Sequence, residues 1–253
     1  MKLEGKIAVV TGASSGMGRE IAKLFASEGA TVIAVARRKE RLDEIVEQTK
    51  GLKGTVVAFP GDVSSKEINE AMIDFAVKNY GKIDVLVNNA GIMDEMTPVH
   101  ELTDELWDKV QKVNVYGPMC ACRKAVNVMM EQSNGGVIVN VASVGGLHGA
   151  RAGLAYTASK HALVGISENI GFMYANNKIR CNVLCPGGVD TEVGVNISHP
   201  STFGIGRVMT GTASNPRSGQ ASEIATAALF LACDDSSLIN GTTLVADAGW
   251  TAY

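Results

Sequence analysis

Tyr156 and Lys160 lie four positions apart on a predicted helix, so the phenol and the ammonium group share one helical face. A phenol with a pKa of about 10 is a poor base at neutral pH, but a neighbouring cation favours the phenolate. Ser143 ends a predicted strand, where its hydroxyl can hold a carbonyl oxygen. Asn114 lies within a long predicted helix, where its side chain or backbone can bind a water that links Lys160 to solvent. These residues suit acid/base chemistry, although a packed tyrosine and a solvated lysine are the ordinary interpretation of such a pair.

A glycine-rich turn, Thr11–Gly18, follows the first predicted strand and precedes an amphipathic helix. Glycine permits a tight turn and lets backbone amides approach a pyrophosphate, whose charge the helix N-terminus favours. The spacing is G-x-x-x-G-x-G rather than the commoner G-x-G-x-x-G. The turn therefore predicts a phosphate-binding site.

The end of the second predicted strand indicates which cofactor this site accepts. Folds that select NAD usually place an acidic residue there, on the ribose 2′-hydroxyl, whereas arginine accommodates a 2′-phosphate. Here Arg37 and Arg38 follow Ala36. We therefore predict NADP(H), the alternative being that both arginines only solvate a helix start.

Strands and helices alternate along almost the whole chain. The predicted strands are Lys6–Val10, Thr31–Ala36, Thr55–Phe59, Ile83–Val87, Val137–Val141, Ile179–Leu184 and Thr242–Ala246. A helical stretch from Thr103 to Met130 separates the fourth strand from the fifth, and Pro118 should kink or divide it. Apolar strands joined by helical crossovers predict an α/β fold with a doubly wound parallel sheet, whose ligands bind at the carboxyl ends of the strands. We predict one domain over residues 1–253.

Composition excludes several other classes of protein. Of the 253 residues, 46% are apolar and 19% charged, and 28 are glycine, which excludes a disordered chain and a coiled coil. A net charge of −3 gives no field that favours nucleic acid, and no apolar run is long enough for a membrane span. Five cysteines without a C-x-x-C pair predict buried thiols rather than a metal site or disulfide. We predict a soluble, cytoplasmic protein.

The order and spacing of these motifs resemble those of the short-chain dehydrogenase/reductase family. The matching motifs are Thr11–Gly18, Asn88–Gly91, Asn114, Ser143, Tyr156 with Lys160, and Pro186–Thr191, and the likeness extends to Asp247 near the end of the chain. The resemblance implies a Rossmann-type sheet of about seven parallel strands, flanked by helices.

The resemblance also implies a role for each matching residue. Tyr156 would be the general acid/base, Lys160 would lower its pKa and bind the nicotinamide ribose, Ser143 would orient the substrate oxygen, and Asn114 would support the proton relay. The further cofactor-binding residues implied are Gly12, Ser14, Ser15, Met17 and Gly18 for the phosphates, Asp62 and Val63 for the adenine, Asn89, Ala90 and Gly91 for the adenosine ribose, and Pro186, Gly187, Val189 and Thr191 for the nicotinamide side. A homotetramer or homodimer is the implied assembly.

Three segments are expected to contact the substrate: Ile92–Pro98, Gly145–Arg151 and a lid at about residues 191–215. Their many apolar side chains and methionines suit a bulky hydrophobic ligand, although half of them could merely pack the lid onto the body. The residues predicted to contact substrate are Met93, Gly145, Leu147, His148, Val193 and Phe203. We predict a hydrophobic secondary alcohol or ketone, such as a hydroxysteroid or bile acid.

Two alternative functions remain open. The first is a 3-oxoacyl carrier-protein reductase, but the basic residues that such enzymes use to dock an acidic carrier are largely missing: Glu131–Gly136 and Tyr174–Asn177 contain none, and only Lys178 follows. The second is a non-catalytic NADP-sensing protein, which would not need the combination of Asn114, Ser143, Tyr156 and Lys160.

Overall fold

Continuous apolar runs form the strands of one parallel sheet. The computed structural model describes residues 1–192, 197 and 199–252. Its strands within these residues are β1 (Ile7–Thr11), β2 (Thr31–Ala36), β3 (Thr55–Pro60), β4 (Val85–Asn88), β5 (Gly136–Val141), β6 (Ile179–Pro186) and β7 (Thr243–Ala246). Each agrees with a predicted strand to within two residues.

Helices connect the strands on both faces of the sheet. They are α1 (Gly16–Ser27), α2 (Lys39–Gln48), α3 (Lys66–Tyr80), α4 (Asp104–Gln111), α5 (Gly117–Glu131), α6 (Leu154–Met173), α7 (Thr202–Thr212) and α8 (Ala221–Ala232) in the part of the chain that is described. None of the described helices combines the length and apolar character needed to cross a bilayer.

The strand order, β3-β2-β1-β4-β5-β6-β7, reverses direction at β1. Val9 of β1 pairs with Ile33 of β2 on one side and with Leu86 of β4 on the other, both in parallel. A crevice opens where such a sheet changes winding direction, at the carboxyl ends of its strands. The prediction of a Rossmann-type doubly wound α/β fold is confirmed.

Successive side chains of β1 belong to two separate core layers, because neighbouring residues of a strand point to opposite faces. Val10 packs with Phe25 of α1 and Ile224 of α8. Val9 packs in the other layer with Ile73 of α3. Both faces are therefore covered, as a parallel sheet requires.

The helical stretch predicted for residues 103–130 is divided. Between α4 and α5 the chain forms a π-helical turn, Lys112–Tyr116, immediately before Gly117 and Pro118. Proline has no N–H group to donate to the carbonyl four residues earlier, and its ring crowds that carbonyl. The prediction that Pro118 divides the helix is confirmed, and the carbonyl affected is that of Asn114.

Candidate active site

Close backbone packing shapes the turn after β1. A β-carbon at Gly18 would lie 2.4 Å from the Gly12 carbonyl oxygen, and one at Gly12 would lie 2.7 Å from the Asn89 amide nitrogen. Gly12 also has φ 71°, in the left-handed region. The N-cap of α1 is Ser15, whose side chain makes no capping hydrogen bond within the described chain. The first amides of α1 can therefore face an anion.

This turn forms one wall of a cleft of about 800 Å³ at the carboxyl ends of the central strands. The predicted cofactor residues that line it are Gly12, Ser14, Ser15, Met17, Arg37, Arg38, Asp62, Val63, Asn89, Ala90, Gly91 and Thr191. Further lining residues that the sequence did not single out include Ala36, Ser64, Leu106, Lys109, Lys112 and Val113. The Asn89 side-chain oxygen is buried and has no hydrogen-bond partner among the described residues. An acceptor of this kind fits a ligand hydroxyl, so the cleft suits a dinucleotide.

The two arginines after β2 differ in their surroundings. Arg38 donates hydrogen bonds to the hydroxyls of Ser14 and Ser15, at 3.1 and 2.9 Å, and to the Glu192 carboxylate at 3.0 Å. The hydrogen bond from Arg38 lowers the pKa of Glu192. Arg37 is exposed, lines the cleft and has no ion pair among residues 1–192, 197 and 199–252. Arg37 therefore offers the less engaged positive charge.

Tyr156, Ser143 and Gly145 lie together beyond the carboxyl end of β5. The Ser143 hydroxyl is near enough to the Tyr156 phenol to lower its pKa, and the Gly145 N–H donates to the Ser143 oxygen at 3.0 Å. A β-carbon at Gly145 would lie 3.4 Å from the Ser143 Oγ and from the Tyr156 ring. Burial raises the pKa of Tyr156 to about 12, although the Ser143 hydroxyl acts to lower it. The expected lowering of this pKa by Lys160 is therefore not seen in the protein alone, because desolvation of the phenolate is the larger effect.

Lys160 is buried on the same helix. Its ammonium group donates to the Val141 carbonyl at 3.0 Å and lies 5.5 Å from the centre of the Tyr156 ring. Burial lowers the pKa of Lys160 to about 8. A β-carbon at Gly91 would lie 3.3 Å from this nitrogen and 3.3 Å from the Asn114 side-chain oxygen. The segment after β4 thus brings Lys160 and Asn114 to one place.

The Asn114 side chain is fully engaged by protein groups. Its oxygen accepts from the Ile92 N–H at 2.9 Å, and its nitrogen donates to the Ile92 carbonyl at 2.9 Å and to Ser159 Oγ at 3.0 Å. It joins the segment after β4 to α6, so the backbone is the part of Asn114 left to bind a water. Its carbonyl cannot accept an α-helical hydrogen bond from Pro118.

The segment after β6 is positioned by the end of the chain. A β-carbon at Gly187 would lie 2.7 Å from the Asp247 Cβ, and Val189 pairs with Gly219 and packs against the core. Thr191 lies over the glycine-rich turn, since a β-carbon at Gly16 would meet it at 3.1 Å. Pro186, Gly187 and Val189 are not among the described residues that line the cleft.

The predicted substrate residues have diverse surroundings. Met93 lines the cleft, whereas Leu147 packs against the core cluster around Leu163. His148 is exposed, and Phe203 on α7 is 58% exposed with its ring 5.3 Å from that of His100. Val193 lies outside the described residues.

Sequence reasoning missed the residues that hold the end of α7. The Trp250 indole N–H donates to the Gly211 carbonyl at 3.0 Å and to Ser214 Oγ at 3.1 Å. Arg151 donates to the same carbonyl at 2.9 Å, and its guanidinium group lies 4.3 Å from the Trp250 ring. Only the position of Trp250 three residues after Asp247, in the closing motif, hinted at a role.

Cysteine, histidine and acidic side chains are the groups that would bind a metal ion. All five cysteines are free and buried, as predicted. Among the described residues, no cluster of three or more His, Cys, Asp or Glu side chains could hold a metal ion.

Comparison with known proteins identifies the family. Residues 6–201 match the family model described as short chain dehydrogenase. The chain is 44% identical to 3beta-hydroxysteroid dehydrogenase 2 of Eggerthella lenta, covering 99% of this chain and 96% of that protein. It is 37% identical to a 3-oxoacyl acyl-carrier-protein reductase of Thermotoga maritima, covering 98% and 99%. A solved short-chain type dehydrogenase/reductase from Mycobacterium marinum superposes with a TM-score of 0.89 at 28% identity, covering 100% of this chain and 98% of that one. The chain belongs to the short-chain dehydrogenase/reductase family of oxidoreductases.

Proposed function

We propose that this oxidoreductase interconverts a secondary alcohol and a ketone, that it uses NADP(H), and that its substrate is bulky and hydrophobic, such as a hydroxysteroid or bile acid. The observation that carries the reaction type is that Tyr156 and Ser143 converge on Gly145, where a β-carbon would lie 3.4 Å from both side chains. Two hydroxyl groups there can meet one substrate oxygen, because glycine leaves room for it. Asn114 and Lys160 complete the catalytic set.

In ketone reduction, the Ser143 hydroxyl holds the ketone oxygen and Tyr156 gives it a proton; in alcohol oxidation Tyr156 removes that proton. The Gly145 N–H occupies a lone pair of the Ser143 oxygen, which leaves the Ser143 proton free to donate. NADP(H) would supply the hydride chemistry when bound, and the positive charge of its oxidised ring would favour the Tyr156 phenolate. Lys160 would hold the nicotinamide ribose, and the Asn114 backbone would support the proton relay.

Arg37 and Arg38 would bind the 2′-phosphate, since both line the cleft where β2 ends. The phosphates would lie on Gly12, Ser14, Ser15, Met17 and Gly18, the adenine by Asp62 and Val63, its ribose by Asn89, Ala90 and Gly91, and the carboxamide by Pro186, Gly187, Val189 and Thr191. The orphaned oxygen of Asn89 supports the ribose position.

The substrate class rests on two supports. One is the name of the Eggerthella lenta relative, 3beta-hydroxysteroid dehydrogenase 2. The other is the apolar character of the lid at about residues 191–215, where Phe203 and Met209 are exposed, together with Met93, which lines the cleft. We propose Met93, Gly145, Leu147, His148, Val193 and Phe203 as its contacts. The Thermotoga maritima relative supports 3-oxoacyl carrier-protein reduction as the second candidate.

We further propose a homotetramer or homodimer in the cytoplasm. Large apolar side chains exposed on α6 and before β7, namely Phe172 at 82% and Leu238 at 97%, support burial in a subunit contact. Five free thiols suit a reducing compartment.

The test follows nicotinamide absorbance with the purified protein, NADPH beside NADH, against oxosteroids, 3-oxoacyl thioesters and small sugars. We expect oxidation of NADPH well above NADH with an oxosteroid. Preference for the thioesters would support the second candidate, and a preference for small sugars would refute the substrate class. Tight NADPH binding without any turnover would favour a non-catalytic NADP sensor.

A further inference from the structure

Asp94 is a buried carboxylate that the mechanism above does not use. It lies after β4 and is only 1% exposed. Its Oδ1 accepts from the Gly153 N–H at 3.0 Å and the Met96 N–H at 3.2 Å, while Oδ2 accepts from the Tyr156 N–H at 2.9 Å. One side chain therefore holds two chain segments, and one of its donors is the backbone of the proposed acid/base residue.

The start of α6 depends on this carboxylate. The first amides of a helix have no partner within the helix, and a side chain at the N-cap usually accepts from them. The N-cap here is Gly153, where a β-carbon would lie 2.5 Å from an Asp94 oxygen and 2.3 Å from the Thr97 nitrogen. The Leu154 N–H donates to the Thr97 carbonyl at 3.0 Å. Residues 94–97 thus supply the cap that Gly153 cannot.

The same segment also holds the start of the lid helix α7. The Glu95 carbonyl accepts from the Ser201 N–H at 2.9 Å, and a β-carbon at Gly204 would lie 1.7 Å from the Met96 carbonyl oxygen. Met96 has φ 56°, a left-handed conformation that a residue with a side chain keeps only when its surroundings hold it. The hydrogen bond from Met96 to Asp94 is such a restraint.

We infer that Asp94 is a positioning residue of the reaction: its carboxylate fixes the first turn of α6, so that the Tyr156 phenol is held beside Ser143. The inference rests on the proposed function, because it assigns Asp94 a role in the proton transfer by Tyr156.

The groups around Tyr156 come from four elements: Asp94 from the segment after β4, Ser143 from the segment after β5, Cys185 from β6, and Lys160 from its own helix. Burial is the main cause that raises the pKa of Tyr156, the Ser143 hydroxyl lowers it, and the charges of Asp94 and Cys185 raise it further. Burial raises the pKa of Asp94 itself, opposed by its backbone hydrogen bonds. Removing the Asp94 charge should therefore lower the pKa of the phenol.

The experiment compares Asp94→Asn and Asp94→Glu with a matched control, Asp84→Asn. Asp84 is also buried, at 3% exposure, and accepts from the Ile7 N–H at 2.8 Å, but it lies beside the amino end of β4. For each variant we would measure melting temperature, the folded fraction by near-ultraviolet circular dichroism, kcat, KM for NADP⁺ and alcohol, and the pH profile of kcat/KM for alcohol oxidation.

We expect Asp94→Asn to lower kcat per folded molecule about 10- to 100-fold, with KM for NADP⁺ changed less than about threefold, because misplacement of a reacting group acts mainly on kcat. The midpoint of the pH profile should fall by roughly half a unit to one unit. Asp94→Glu keeps the charge, so it should lower kcat with the midpoint unchanged. Asp84→Asn should lower the melting temperature alone.

If Asp94→Asn resembled Asp84→Asn in both kcat and pH midpoint, Asp94 would serve folding only and the inference would be overturned. If Asp94→Asn did not fold, parental kcat in Asp94→Glu would overturn it equally. Parental turnover in Tyr156→Phe would instead refute the proposed function, which keeps the two failures distinct.

Discussion

The glycine-rich turn and helix α7, which lies in the proposed lid, are built in different ways. In the turn, β-carbons at Gly12 and Gly18 would meet backbone atoms at less than 3 Å, so the path of the chain is fixed by contact. In α7, Gly206 has nothing within 4 Å, and Phe203 and Met209 are exposed. We therefore expect the glycine-rich turn to hold the cofactor rigidly, and α7 to adapt to the substrate.

The contacts that hold the two regions to the rest of the protein also differ. The turn packs along its length against the segment after β4, whereas contacts near its two ends hold α7, from Ser201 to the Glu95 carbonyl and from Gly211 to Trp250. An element held at its ends can adjust between them without loss of the core. Substitutions in the two regions should therefore affect different kinetic constants.

The largest effect is expected from a residue that belongs to neither region. Tyr156→Phe keeps the ring and removes the hydroxyl, so kcat should fall about 10³-fold while NADPH affinity stays unchanged. Steady-state absorbance kinetics and fluorescence titration with NADPH measure both quantities. Tyr80→Phe, which alters an exposed tyrosine, is the control. If Tyr156→Phe also lost NADPH binding, the hydroxyl would contribute to cofactor binding as well as to proton transfer, and the expected division between the two would be wrong.

The same substitution in both regions tests the comparison directly. Gly18→Ala places a methyl group 2.4 Å from the Gly12 carbonyl oxygen, so NADPH affinity should fall at least about tenfold and stability by about 1–3 kcal/mol. Gly206→Ala meets nothing within 4 Å inside a helix, so it should stabilise the protein by about 0.5–1 kcal/mol. Urea unfolding and NADPH titration measure the two effects. Equal losses of stability and NADPH affinity in the two variants would contradict the distinction between the glycine-rich turn and α7.

A substitution of Arg37 tests whether the protein distinguishes NADPH from NADH by the 2′-phosphate. Arg37→Ala should raise KM for NADPH about 10- to 50-fold and leave KM for NADH unchanged, because only NADPH carries the phosphate that the guanidinium would bind. Steady-state kinetics with the two cofactors measure the ratio. Arg41→Ala is the matched control, since Arg41 pairs with Glu44 and does not line the cleft. Equal increases for both cofactors would assign Arg37 to general electrostatic attraction.

The smallest effect is expected at the end of the lid helix. Trp250→Phe keeps an aromatic ring but removes the N–H that reaches Gly211 and Ser214. Each such hydrogen bond contributes about 1 kcal/mol, so KM for substrate should rise about three- to tenfold with NADPH affinity unchanged. Trp107→Phe, on exposed α4, serves as the control. A change in NADPH affinity instead would show that the contacts of Trp250 with the end of α7 also affect cofactor binding, contrary to the comparison.

Sequence alone predicted the features that depend on short spacing. Tyr156 and Lys160 share a face because they are four residues apart, and the Gly12–Gly18 turn is local. Contacts between distant residues gave no such signal: Asp94 and Gly153 are 59 positions apart, and Arg38 and Glu192 are 154 apart. The pKa of Tyr156 was expected to fall and instead rises, because burial is a property of the folded chain. No helix was predicted within the lid at about residues 191–215, where Thr202–Thr212 forms α7.

The π-helical turn Lys112–Tyr116 amounts to one extra residue wound into the helix between β4 and β5. Each residue of an α-helix turns the chain by about 100°, so removing one residue there would leave the packing face of either α4 or α5 in place but not both. If α5 kept its packing in the core, the Asn114 side chain would rotate away from Ile92 and lose both hydrogen bonds with it. The extra residue thus sets the rotation of α4 relative to α5 about the helix axis. Deleting one residue there is predicted to lower stability and activity more than most substitutions in this stretch.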